Sequence, residues 1–290
     1  MKQFSSQENI RLPAIRRRAK GRALCTSICV LLAGCAGFSH GAIVLSQWNF
    51  DDVGNPNSTV ANVGGFVGTF TAFTVTRSAD GLGVSGFAGD YALSLGGAGI
   101  AGAMMDATTP AFMNALNALT GSQSLSITYW QNLNTISNST SLWAESISIT
   151  RGLNAHSAWG DGNAYWDTAG CCDPGVQRLF GFLGATLGEW ELITLIYDNG
   201  NKSIYRGTTQ IASGSGFIPL TSDLTAFYIG NQSFGHDLLP NARYDNFTIW
   251  SGALTSSEIA VLAERPVPEA STTLLLGVGS LLAMRRRRYA

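Results

Sequence analysis

The chain has 290 residues, 45% hydrophobic and only 13% charged, with a formal net charge of −1. That near-neutral total joins unlike parts: the two ends hold most of the Lys and Arg, and the stretch 43–265 carries seven basic residues against seventeen acidic ones. So acidic a surface repels phosphate backbones and excludes nucleic acid as a partner, while about 220 residues suffice for one domain with a single sizeable core.

Arg16, Arg17, Arg18, Lys20 and Arg22 form a basic n-region, residues 23–33 an apolar h-region, and small residues follow to Gly41 and Ala42. This order predicts a secretory signal peptide over 1–42, which takes no part in the fold. Within it, Leu32-Ala33-Gly34-Cys35 resembles a bacterial lipobox. Lipidation at Cys35 therefore stands as the alternative to ordinary cleavage near Gly41 or Ala42, the preferred reading because the C-terminus carries a sorting label of its own.

From residue 43 onward helical periods are scarce, and short alternating runs are separated by Gly, Asn, Asp and Ser. The alternation predicts strands over 43–50, 66–75, 91–95, 124–131, 141–150, 190–197, 226–229 and 243–250, hence an all-β sandwich or jelly roll. Two short helices are expected. The first, 110–119, has Pro110 at its start and Phe112, Leu116 and Leu119 on one face; the second, 255–263, opens with Thr255 and has Glu258 three residues on, a capping box. Matches to Gly-x-Gly-x-x-Gly at 81–86 and 97–102 open no helix within a βαβ unit and carry no phosphate-binding signal. No linker divides 43–265, which is expected to be one domain.

Three of the 5 cysteines lie before residue 36, leaving Cys171-Cys172. Adjacent Cα atoms are about 3.8 Å apart, below the usual disulfide range, but export permits oxidation. A vicinal disulfide, two thiols or a bond to another chain all remain open. The densest chemical cluster is His156, Trp159, Asp161, Tyr165, Trp166 and Asp167. Aromatic rings stack on the apolar face of a pyranose, and carboxylates accept hydrogen bonds from its hydroxyls. Trp159, Asp161, Tyr165 and Trp166 are thus the candidate ligand-binding residues; the plainer reading makes Tyr165-Trp166-Asp167 a core strand after a turn at 159–163. Signals of catalysis are poor. Glycosidases need two carboxylates about 5–10 Å apart, and Glu189-Trp190-Glu191 is the closest approach to such a pair. No Gly-x-Ser-x-Gly elbow is present, so no catalytic residue is assigned and no enzyme is expected.

Several elements fall in a familiar order. Trp190 opens a strand that ends in the turn Asp198-Asn199-Gly200-Asn201. It is followed by Ile204-Tyr205-Arg206-Gly207, Phe227-Tyr228-Ile229-Gly230, the strand from Tyr244 through Asp245 to Trp250, and a closing Leu254 with Glu258-Ile259. Trp48-Asn49-Phe50-Asp51 stands at the other end. This series resembles the LamG-like, concanavalin A-like jelly roll. The resemblance implies a sandwich of two antiparallel sheets whose first and last strands are neighbours. Asp51 and Asp245 then become candidate ligands, with backbone carbonyls, for a structural Ca²⁺, a hard cation that takes six to eight oxygens. Sugar-cleaving relatives carry a Glu-x-Asp-x-x-Glu type run, which is missing here. Fold does not give function.

The last segment reads Val267-Pro268-Glu269-Ala270, an apolar run over 271–284 and four Arg at 285–288. As helix the run spans about 21 Å, short of the roughly 30 Å hydrocarbon core, and the Arg cluster favours the cytoplasmic side. This tail, 266–290, resembles a PEP-CTERM sorting signal with Pro-Glu-Ala in place of Pro-Glu-Pro. The resemblance implies an exosortase-type processing enzyme as a partner, membrane attachment through the tail before processing, and a place in the envelope or on the surface of a Gram-negative bacterium. The expected function is an exported, surface-sorted binding module for glycan or extracellular matrix polymer. The alternatives are a structural or adhesive envelope protein and, less favoured, a glycoside hydrolase or lyase.

Overall fold

The computed structural model describes residues 41–71, 74–96, 104–149, 151–230 and 240–264. Cys35, the Val267-Pro268-Glu269-Ala270 motif and the apolar run with its Arg cluster lie outside the described residues. Among the described residues no helix is long and apolar enough to cross a membrane.

In chain order the strands are β1 (Ile43–Trp48), β2 (Ser58–Val60), β3 (Val67–Phe70), β4 (Val75–Arg77), β5 (Leu93–Gly96), β6 (Met104–Asp106), β7 (Ser124–Leu133), β8 (Leu142–Ser146), β9 (Leu153–His156), β10 (Asn163–Thr168), β11 (Arg178–Phe182), β12 (Trp190–Asp198), β13 (Asn201–Arg206), β14 (Thr209–Ser215), β15 (Leu224–Gly230) and β16 (Asn241–Ser251). Helix α1 (Pro110–Gly121) precedes β7, and α2 (Ser256–Leu262) follows β16. The strands form two antiparallel sheets. The first runs β14-β13-β12-β7-β16-β5-β4, with β1 also paired to β16; the second runs β11-β10-β9-β8-β15-β6-β3-β2. The first and last strands are therefore neighbours, as the resemblance implies.

Local chemistry accounts for the joints. β12 and β13 meet at a two-residue turn in which Asn199 and Gly200 have φ of 47° and 83°, and Asp198 pairs with Asn201. Two positive φ values match the twist of the flanking strands. Helix α1 has Pro at its start and Thr109 as cap, accepting from the Phe112 N–H at 3.3 Å. In α2, Thr255 Oγ1 accepts from the Glu258 N–H at 3.3 Å, and Glu258 Oε2 from the Thr255 N–H at 2.7 Å. The expected strand 66–75 is two strands: β3 joins the second sheet and β4 the first. Alternation reports which side of a strand is buried, not which sheet buries it. The mostly polar edge strand β14 escapes the pattern for a related reason, since an edge has little core to face.

Inward side chains of both sheets interdigitate, among them Ile127, Tyr129, Ile193 and Leu195 from the first sheet and Leu142, Trp166, Phe227 and Ile229 from the second. Phe112 of α1 joins this core, its ring edge-on to Trp48, Phe66 and Phe227 at 5.5, 5.2 and 5.4 Å. Helix α2 lies over the outer face of the first sheet, where Ile259 packs with Ile196, Leu254 and Trp250. One charged residue crosses the interior. Lys202, 1% exposed, extends from β13 and donates to the backbone oxygens of Trp166 at 3.2 Å and Gln177 at 2.5 Å. Burial pulls its pKa down to about 7.

Candidate functional site

The outer face of β9, β10 and β11 gathers most of the aromatic cluster. After β9, the chain turns at 159–163: Trp159 N–H donates to Asn163 O, and Gly162, with φ of 81°, donates to Trp159 O, both at 2.8 Å. The turn projects Asp161, whose Oδ1 accepts from the Asn163 N–H at 2.9 Å and whose Oδ2 accepts from the Tyr165 hydroxyl at 2.5 Å. Burial acts to raise the Asp161 pKa, but the Tyr165 and Asn163 hydrogen bonds outweigh it and hold the carboxyl below its ordinary value. Register sets Tyr165 opposite both His156 and Phe180. Tyr165 stacks on Phe180 at 5.6 Å and 24°, the Arg178 guanidinium lies 4.5 Å from its ring centre, and His156 meets Trp159 edge-on at 4.5 Å. Phe180 and Phe182 remain 46% and 69% exposed. Together these rings form an aromatic ledge with one carboxylate and one guanidinium.

Trp159, Asp161 and Tyr165 therefore share one surface, but Trp166 does not. It is 0% exposed and belongs to the inter-sheet core, because a strand turns successive side chains to opposite faces. It cannot act as a sugar platform, and this corrects the expectation for that residue. Phe180, Phe182 and Arg178 were missed, although Arg178-Leu179-Phe180-Gly181-Phe182 alternates in period two and so signals a half-exposed strand. Asp167, next in sequence, is fully buried and held by Arg178 at 2.7 and 2.5 Å, with Arg151 at 3.6 Å.

Cys171 and Cys172 are joined to each other. Ligand atoms of Asp167, Cys171 and Cys172 lie within 4.8 Å of one another, but the Arg178 and Arg151 pairs already neutralise Asp167, so the trio does not suit a cation. The Asp51 and Asp245 site is chemically different. Asp51 follows β1 and accepts from the Tyr91 N–H and from Asn49 Nδ2, both at 2.8 Å. Asp245 sits at the irregular stretch of β16 and is 0% exposed. It accepts from the N–H groups of Val84 at 2.8 Å and Asn246 at 2.6 Å. Burial, with the charges of Asp90 and Asp51, pushes the Asp245 pKa up to about 8. Among the described residues no Lys or Arg pairs with Asp51, Asp90 or Asp245. These carboxylates do not close as tightly as the cysteine trio, so carbonyls of the glycine-rich loop before β5 would have to complete a coordination shell. A hard divalent cation suits the donor set, which is all oxygen and carries uncompensated negative charge.

Residues 106–260, more than half of the chain, match the profile of the concanavalin A-like lectin/glucanases superfamily, laminin G type. The chain belongs to this superfamily. Solved structures agree on the concanavalin A-like sandwich. Domain 4 of AbnA, an extracellular arabinanase from Geobacillus stearothermophilus in complex with arabinotriose, is similar at a TM-score of 0.56 and 19% identity, over 77% of this chain and 100% of that one. Trypanosoma rangeli sialidase in complex with sialic acid gives 0.54 and 14%, over 83% of this chain and 35% of that one. The botulinum neurotoxin type G receptor binding domain gives 0.52 and 12%, over 77% and 51%. This concanavalin A-like chain thus spans the whole arabinanase domain but about a third of the sialidase and half of the neurotoxin domain. At these identities the likeness is one of fold. No curated protein matches the chain.

Proposed function

We propose that this protein is an exported glycan-binding module whose ligand lies across the ledge of Trp159, Tyr165 and Phe180. The observation that carries the reading is that three rings, Asp161 and Arg178 share one solvent-facing side of β9–β11, with Asp161 oriented before any ligand arrives. Such a surface offers stacking area plus an acceptor and a donor for hydroxyl groups. The arabinotriose held by the similar arabinanase domain supports a saccharide as the ligand class. The N-terminal leader and the PEP-CTERM-like tail would take the protein to the cell surface through an exosortase-type enzyme, where it would meet extracellular polymer. Ca²⁺ at Asp51 and Asp245 would act as a structural ion by neutralising carboxylates that otherwise repel.

Binding is preferred to catalysis because Asp167 and Glu191 are each committed to arginines. A protein-contact role, adhesive or structural, is the second reading, favoured by the exposure of Phe180 and Phe182 at the edge of the second sheet. A glycan array and polysaccharide pull-down on the purified chain separates the two. Glycan binding that falls at least about tenfold in Trp159→Ala and Tyr165→Ala, the equivalent of one good ring contact each, supports the first. A folded protein that binds no glycan supports the second.

A further inference from the structure

A cavity of about 460 Å³ lies at the other sheet, where β13 and β14 turn back and leave the start of β12 uncovered. Register sets Leu192 opposite Trp130 and Trp190 opposite Asn132, so the two indoles are diagonal neighbours on one face. Both line the cavity, and Val84 and Leu262 pack with them. Glu191 and Arg206, which the pleat sets on the other face of the sheet from the indoles, form the polar wall at its edge. Arg206 Nη2 donates to Glu191 Oε1 and, at 3.0 Å, to Thr186 Oγ1; the Thr186 N–H donates to the same Oε1 at 2.9 Å. These bonds set the ion pair before a ligand arrives. Glu191 Oε2 makes no hydrogen bond among the described residues, and the exposed Thr208 stands at the rim.

The half-buried indole of Trp190, backed by Trp130 at 6% exposed, beside a balanced carboxylate–guanidinium pair suits a neutral polyhydroxylated ligand. A C–H face can stack on the Trp190 indole, over which the Arg243 guanidinium also lies at 5.5 Å, and vicinal hydroxyls can bridge acceptor and donor. A charged ligand gains little from a pair whose charges cancel. A peptide would seek the open edge of β12, but Leu192 O there already accepts from the Gly207 N–H at 2.8 Å. Phe182 stands between the aromatic ledge and the cavity's Arg206. Phe182 borders Gly162 of the ledge turn, and both Phe182 and Arg206 flank Gly184, where an added Cβ would meet Phe182 Cε1 at 3.3 Å and Arg206 Nη1 at 3.6 Å.

We propose that this cavity is a saccharide subsite, joined round the edge of the sandwich to the ledge through Phe182, so that the protein holds a neutral polysaccharide over several sugar units. The proposal rests on the reading of the ledge as a glycan face and extends it to a second sheet. The test is calorimetric titration of the purified full chain with arabino- and cello-oligosaccharides of increasing length, with tryptophan fluorescence as a second signal. Affinity is expected to rise with length. Trp190→Ala, and independently Thr208→Trp, which adds bulk at an exposed hairpin tip, should each lower affinity for the long oligomers about tenfold and flatten the length dependence, with an unchanged far-UV spectrum. Should one variant fail to fold, the other carries the test. If Tyr165→Ala loses binding while both cavity variants bind normally, the subsite is overturned and the ledge stands. If the cavity variants lose binding and Tyr165→Ala does not, the subsite stands and the ledge falls. No binding of the parent chain to either series, or to arrayed neutral glycans, overturns both.

Discussion

Asp167 and Lys202 show how single residues depend on their partners. Asp167 is a fully buried carboxylate whose charge is tolerated because Arg178 grips both oxygens. Removing one partner of a buried pair strands the other charge, so Arg178→Ala should cost about 3 kcal/mol. Adding Asp167→Asn should return part of that loss; chemical denaturation of the single and double variants checks this, and additive losses would count against the pairing. Lys202 is the opposite case, a base whose burial lowers its pKa to about 7. Between about pH 7 and pH 10, an unfolded lysine still holds the proton that the folded one has released, so stability should rise with pH across that window. Below it both states are protonated and the fold bears the full cost of the buried charge. Lys202→Met should abolish the rise and be the more stable protein at pH 6; urea melts at three pH values read the slope.

At the scale of elements, the helix caps and tight turns were legible because they are local. The Thr255–Glu258 box is a four-residue pattern with a fixed hydrogen-bond consequence, and α2 shows both bonds. Thr255→Ala should cost about 1 kcal/mol, seen as a lower denaturation midpoint with an unchanged slope. The loss would come from a helix that covers the outer face of the first sheet, so fluorescence of Trp250 should respond along with the global signal. Strand β10 shows the limit of local reading. Tyr165, Trp166 and Asp167 are all good binding residues by type, but the pleat sends Trp166 into the inter-sheet core and leaves Tyr165 half-exposed on the other face, where Asp167 is buried under Arg178 and Arg151. Edge strand β11 supplied two further rings that the sequence reading passed over, because it weighed residue clusters rather than alternation in that stretch.

For the whole molecule, the pairing of β1 with β16 brings Asp51 near Asp245 across most of the chain's length. Burial raises the pKa of both Asp51 and Asp245, the charge of Asp90 adds to each rise and that of Asp51 to Asp245's, and a bound cation would oppose these effects. Millimolar calcium should raise the melting temperature by several degrees, and EDTA should reverse it. Asp245→Asn should lose the calcium response while remaining folded; an identical response in that variant would exclude the site.

The order of strands and turns, the two helices, the aromatic cluster and the acidic surface were all readable along the chain, since each depends on residues within a turn or two of one another. The sandwich itself was readable too, through a series of short motifs that resembled a known family. The split of 66–75 between two sheets, the inward facing of Trp166 and the cavity beside Trp190 required the folded chain. Each is set by which strands become neighbours, and neighbours here are brought together by burial of a shared core rather than by proximity in sequence.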